Sequence, residues 1–196
     1  MYAATFAATS FMLAACDSGG SATSATSAAS PTSLSSSSPW ATSSTPSTST
    51  SAPAAYVPVK PDFPAEAKKQ TLKGAQEFVQ YFYDVANYAL TRPEAGLLTK
   101  LGTAECKPCT LLERQAVGLV EKKSRFKGPV VKISHVENVT TSLDNPLVLV
   151  TGVQNSVPVV DSAGEETAGS PRGDINFRVE LGWTSEGWRV RDVVNT

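Results

Sequence analysis

Four side chains of this 196-residue chain could do chemistry: the thiols of Cys16, Cys106 and Cys109, and the imidazole of His135, the single histidine. The pair Cys106-Lys107-Pro108-Cys109 is open to four readings. Two cysteines three apart close a small disulfide in an oxidising compartment and staple a loop to the next helix. This is the preferred reading. A Cys-x-Pro-Cys at a helix N-terminus also lowers a thiol pKa, as a redox pair requires. Its usual context, a buried strand leading in, is missing from Leu101-Gly102-Thr103-Ala104-Glu105. Half of a zinc site is a third reading, but no second Cys or His pair exists to complete four ligands, and no metal ligand is assigned. Free thiols are the fourth. His135 would serve as a general base only with a neighbour to tune it. Its strand register is ambiguous, a structural imidazole is the commoner outcome, and no catalytic residue is assigned.

Cys16 addresses the whole chain. Leu13-Ala14-Ala15-Cys16 follows an apolar run with no charge from Met1 to Ala15. The run is too short to span a bilayer, which takes about 20 residues, and it fits a cleaved signal peptide, residues 1–15. The four residues resemble the bacterial lipobox, which implies cleavage before Cys16 and diacylglycerol on its thiol. At about 0.8 kcal/mol per buried methylene, two acyl chains hold firmly where one does not. The expected address is the extracytoplasmic face of a bacterial plasma membrane, with the membrane as partner through the lipid. The n-region carries no Lys or Arg, which a start upstream of Met1 would explain.

Composition changes after the anchor. Ser18 to Val59 holds no charged residue and is built from Ser, Thr, Ala and Pro. Such a stretch cannot bury enough apolar surface to offset its ordering entropy. Residues 16–59 are therefore expected to be a disordered tether, with a root-mean-square span of roughly 35 Å. Its Ser/Thr/Pro content resembles an O-glycosylated stalk, although a plain linker needs no sugar.

All 17 Lys and Arg, and all but Asp17 of the 18 Asp and Glu, lie from Lys60 onward, so residues 60–196 are formally neutral. That gives no electrostatic footprint for nucleic acid. The length suits one domain with one core. Pro61 and Pro64 precede a predicted helix from Ala65 to Leu90, with Leu72, Ala75, Phe78, Val79, Phe82, Val85, Ala86 and Ala89 on one face. Tyr81, Tyr83 and Tyr88 flank that stripe as core-edge aromatics or pocket lining. Arg92-Pro93 ends the helix, and a helical turn is expected over Glu94 to Lys100. Thr110-Leu111-Leu112-Glu113 fits a capping box. It predicts a helix to about Lys123 with Leu112, Ala116, Leu119 and Val120 inward, and Lys122, Lys123, Arg125 and Lys127 at its solvated end.

From Pro129 the period becomes alternating. Val131, Ile133, His135 and Val139 suggest one strand, and Pro146 to Val160 a longer one. Asp161-Ser162-Ala163-Gly164 is turn chemistry. Ile175, Phe177, Val179, Leu181 and Trp183 alternate with polar residues. Ser185-Glu186-Gly187 then turns the chain into a closing strand through Trp188, Val190, Asp192 and Val194.

Helices first and an antiparallel meander afterwards predict an α+β domain in which a curved sheet packs on the helices. The element order, with Gly182 to Val190 as terminal hairpin, resembles the nuclear transport factor 2-like fold. The lipobox, the tether, Pro64 to Lys69, Phe78 to Tyr83 and Cys106-x-x-Cys109 look like an actinobacterial lipoprotein family with a domain of unknown function. That resemblance implies fold and address and brings no catalytic residues. Two function classes follow. One is a noncatalytic module binding a small ligand, an envelope polymer or a protein. The other is an enzyme of dehydratase or isomerase type, or a redox protein of the cysteine pair. Tyr81, Tyr88, His135 and Trp183 are the candidate pocket residues. No cofactor is implied, since no Gly-x-Ser-x-Gly, His-Glu-x-x-His or phosphate-binding glycine loop is present.

Overall fold

Thr71 starts the first long helix. Its hydroxyl accepts the amide of Gly74 at 2.9 Å, and α1 then runs Leu72–Thr91. The computed structural model describes residues 56–196. The expected signal peptide, Cys16 and the tether as far as residue 55 lie outside the described residues. The helix predicted from Ala65 is broken: Glu66–Lys68 forms a separate 3-10 turn, Lys69 is extended, and the chain restarts at the Thr71 cap. A hydrogen bond from the Trp188 indole to the Lys69 carbonyl, 3.0 Å, pins the break. Gly74 is required there because a Cβ would lie 2.2 Å from the Lys69 carbonyl oxygen.

The predicted apolar face of α1 is buried at Ala75, Phe78, Val79, Phe82, Val85, Ala86 and Ala89. Arg92 caps the end, as its proline neighbour predicts. Residues 94–100 form turns and no helix. Helix α2 runs Lys107–Glu121, a turn earlier than the capping-box reading. Its N-cap is Cys106, Pro108 sits in the first turn, and the Thr110 hydroxyl bonds back to the Cys106 carbonyl at 3.1 Å. Glu113 reaches elsewhere. It is buried, and its carboxylate accepts the amides of Gly96 and Leu98, tying the α1–α2 loop to the second helix. Val120, expected inward, is exposed.

Seven strands follow: β1 Arg125–Phe126, β2 Val131–Asn138, β3 Leu147–Gln154, β4 Val157–Val160, β5 Glu166–Ser170, β6 Gly173–Thr184 and β7 Gly187–Asn195. They form an antiparallel sheet of order β2-β3-β6-β7 and a smaller one of order β1-β4-β5. The apolar run Pro146–Val160 therefore serves two sheets and not one. Asn155 makes the corner: its amide donates to the Val130 carbonyl at 2.7 Å and its side chain to the Pro129 carbonyl at 3.0 Å. β1 and β5 escaped the sequence reading because two and five residues carry too little periodicity.

Helix α1 packs on the inner face of the larger sheet, chiefly against β2. Phe78, Phe82, Val148, Val150, Val179, Leu181 and Trp188 form the core. A second cluster, Leu90, Leu119, Phe126, Val130 and Val157, joins the helix ends to the small sheet. Both edge strands of the larger sheet contain a bulge, at Ser134 in β2 and Arg191 in β7. Each bulge inverts the alternation beyond it. On β7, Val193 is partly buried and Val194, two residues on from Asp192 in the simple alternation, is exposed. The terminal hairpin forms as predicted, with Trp183 opposite Trp188, but Gly187, expected in the turn, already pairs with Thr184.

The two helical glycines separate close packing from helix propensity. Gly74→Ala should lower stability by about 1–3 kcal/mol through overpacking, whereas Gly118→Ala, with open space at its Cβ, should raise it by about 0.5–1 kcal/mol. Urea midpoints check this, and stabilisation by both would show that the Gly74 contact is not tight.

Candidate functional site

Between the two helices and the sheets lies a hollow of about 470 Å3, within the range of small-molecule sites. Helix α1 contributes Phe82, Tyr83, Ala86, Asn87 and Leu90, and α2 contributes Pro108, Leu111, Leu112 and Gln115. The opposite wall is Val131, Ile175, Phe177 and Val193 from the larger sheet, closed by Phe126 and Ser170 from the smaller one. Spacing explains the helical share, since residues 82, 83, 86, 87 and 90 recur at three and four on one side of a helix. Among the described residues, no Asp, Glu, Lys, Arg or His lines it.

The polar groups of the lining are mostly engaged. Asn87 donates to the Val131 carbonyl at 2.7 Å and accepts the Val131 amide at 2.9 Å. Its amide thus caps both backbone groups of one residue on the β2 edge. Ser170 donates to the Asn155 carbonyl at 2.6 Å and accepts from Val157 at 3.2 Å, and Gln154 donates to the Pro171 carbonyl at 3.0 Å. Tyr83 is the exception. It is 5% exposed, and its hydroxyl has no hydrogen-bond partner among the described residues. Burial alone holds its phenol well above the ordinary value near 10.

The cysteine pair forms the foot of the α2 wall. Cys106 and Cys109 are 0% and 2% exposed, their Cα atoms are 5.3 Å apart, and their sulfurs lie at disulfide distance. The preceding loop is locked to β7 by Thr103 and Leu101, which exchange 2.8 Å hydrogen bonds with Val190. Gly102 is needed at this crossing because a Cβ would meet the Cys109 sulfur at 2.6 Å.

The four candidate pocket residues are not brought together, and none lines the hollow. Tyr81 packs edge-on against Phe63 at 4.8 Å. Tyr88 is buried, with the Lys60 ammonium 5.7 Å from its ring centroid. Trp183 stacks edge-on to Trp188 at 4.9 Å. His135 is turned outward by the β2 bulge: its side chain is 59% exposed and meets Glu137, itself half-exposed, at 3.1 Å. The residues that do line the site, Tyr83 and Asn87 above all, had one signal, a polar amide four residues after a tyrosine at the border of an apolar stripe.

A larger, open hollow of about 730 Å3 lies at the end of α2, where Lys123, Arg125 and Lys127 meet Asp161 and Glu166. Lys127 is paired with Glu166, so this basic cluster is partly neutralised. Among the described residues, no group of three or more His, Cys, Asp or Glu is placed to hold a metal ion, and no helix is long and apolar enough to cross a membrane.

The model of a family described as of unknown function, DUF6318, matches residues 45–194. The chain belongs to this family. Two solved structures resemble the DUF6318 domain in three dimensions. The intermembrane space region of the chloroplast protein ARC6 is 13% identical with a TM-score of 0.50, the alignment covering 65% of this chain and 97% of that one. An uncharacterized protein with a cystatin-like fold from Caulobacter vibrioides is 15% identical with a TM-score of 0.43, over 65% of this chain and 89% of that one. At such identities the likeness to the first is one of fold alone. No curated protein matches the sequence.

The buried phenol of the DUF6318 domain gives a pH prediction. Tyr83 ionises near 10 in the unfolded chain and only at higher pH in the fold. Its contribution is therefore unchanged below that pH and is lost as pH rises above it, because the unfolded state releases its proton first. Between about pH 8 and about pH 11 the urea midpoint should fall more for wild type than for Tyr83→Phe. Equal falls would show that Tyr83 ionises freely in the native state.

Proposed function

We propose that this chain is an exported lipoprotein, anchored through diacylglycerol on Cys16 to the extracytoplasmic face of a bacterial plasma membrane. Residues 1–15 are its signal peptide and residues 16–59 its tether. Residues 60–196 are a noncatalytic binding module at the cell envelope. The address rests on the lipobox and the uncharged Ser/Thr/Pro/Ala stretch. The binding role rests on one observation, an uncharged hollow of about 470 Å3 between helices and sheets. Such an enclosure suits a small ligand better than an envelope polymer or a protein surface. The order of elements and the terminal hairpin support the finer reading of a nuclear transport factor 2-like cone. The motifs from Pro64 to Cys109 support an actinobacterial lipoprotein family.

Neither enzymatic alternative has a comparable observation behind it. A dehydratase or isomerase needs an inward carboxylate or imidazole, and His135 stands outside the hollow. A redox protein needs an accessible thiolate, and both sulfur-bearing residues are buried.

Metabolic labelling with palmitate should mark the wild-type protein and leave Cys16→Ser unmarked; equal labelling of both removes the anchor. For the binding role, the neutral dye N-phenyl-1-naphthylamine should brighten on adding the full-length chain. Leu111 is 60% exposed at the mouth of the hollow, so Leu111→Arg should fold normally and weaken the dye several-fold by placing a charge on an apolar rim. An unchanged dye affinity in that variant would place the dye elsewhere and defeat the assignment.

A further inference from the structure

The hollow also discriminates among ligands. Its lining is free of charge among the described residues, so an ionised ligand would be desolvated there without a counter-ion, which is strongly unfavourable. The side-chain amides of Asn87 and Gln154 and the hydroxyl of Ser170 already serve the backbone. Gln115 stands exposed at the rim. Among the side-chain polar atoms of the lining residues one is left over, the Tyr83 hydroxyl, which is buried in a residue that is 5% exposed and has no partner among the described residues. A buried hydroxyl is ordinarily bonded. An orphan one on a residue that lines an apolar hollow points to a bond completed by something other than the chain itself.

We infer that this hollow takes a neutral, predominantly apolar molecule bearing a carbonyl or ether oxygen, and that this oxygen accepts a hydrogen bond from the Tyr83 hydroxyl. The inference rests on the binding role proposed above and deepens it. The hydroxyl is closed off from water, so the ligand oxygen reaches it by a small displacement of the apolar lining. A pure hydrocarbon of the same shape fills the hollow but leaves the hydroxyl orphaned, and a carboxylate or ammonium ligand is rejected. Selectivity for the oxygen therefore comes from a single atom of the protein. Tyr83→Phe removes that atom while keeping the ring that lines the wall.

Benzophenone and diphenylmethane test this, being of similar shape with and without a carbonyl oxygen. The chain has two isoleucines. Ile175 lines the hollow and Ile133 does not, so methyl-labelled isoleucine in the full-length protein gives one reporting signal and one control. Wild type should bind benzophenone about tenfold more tightly than diphenylmethane, with shifts at Ile175 and not at Ile133. In Tyr83→Phe the ratio should fall to about one while diphenylmethane keeps its affinity, which also shows that the variant is folded. Equal affinities in wild type, or a preference that survives in Tyr83→Phe, would overturn the role of Tyr83 while leaving the hollow a binding site. If neither compound moved the Ile175 signal, the binding role itself would fall.

Discussion

The grip of Asn87 on Val131 is the interaction on which the rest of the architecture depends. One side-chain amide satisfies both the N–H and the C=O of a residue on an unpaired sheet edge, where each group left bare and buried would cost about 1–3 kcal/mol. The bond fixes the height and rotation of α1 over the sheet. From that rotation follows which helical residues face the sheet core and which face the hollow. Gln76 repeats the device more weakly, donating to the Val136 carbonyl at 3.4 Å on the same edge. Helix α1 thus covers the edge of β2 as well as packing on the sheet.

Around this fixed helix, α2 is held at its N-terminal half by unrelated means. The cysteine pair caps its first turn, the preceding loop bridges to β7, and the Glu113 carboxylate takes two loop amides. Its C-terminal half contributes Leu119 to the small cluster with Phe126 and Val157. The hollow lies between a wall held by an amide clamp and a wall held by sulfur and carboxylate. Its shape is set by polar anchors at or beyond its border whose groups are spent on the backbone, which leaves its surface mainly apolar.

The regular parts of this domain were legible in its sequence because their periods are long. The α1 stripe, the alternation of Ile175 to Trp183 and the Trp183–Trp188 hairpin all extend over enough residues for one face to be distinguished from the other. What escaped was set by single residues acting across the fold. Thr71 caps a helix that periodicity alone would start seven residues earlier, because the extended Lys69 is held by a tryptophan 119 positions away. Glu113 has the spacing of a capping box, yet its carboxylate is drawn to the loop amides of Gly96 and Leu98. Asn155 splits an apolar run between two sheets with bonds to Val130 and Pro129. The site suffered most, since its candidates were chosen for chemical distinctiveness and the hollow is built mainly from ordinary apolar residues, with Tyr83, named beside the α1 stripe as possible pocket lining, and Asn87 among them. A one-residue bulge at Ser134 was enough to put His135 on the outside.

The two bulges have a further effect. Sheets with straight, bare margins recruit neighbouring molecules strand by strand, and the outermost strands of the larger sheet are both kinked, one under helix side chains and the other beside the Gly102 bridge. An incoming strand would find matching donors and acceptors for only a few residues before losing step. The same irregularities that re-aim His135 and Val194 therefore work against self-templated polymerisation along the margins of the larger sheet.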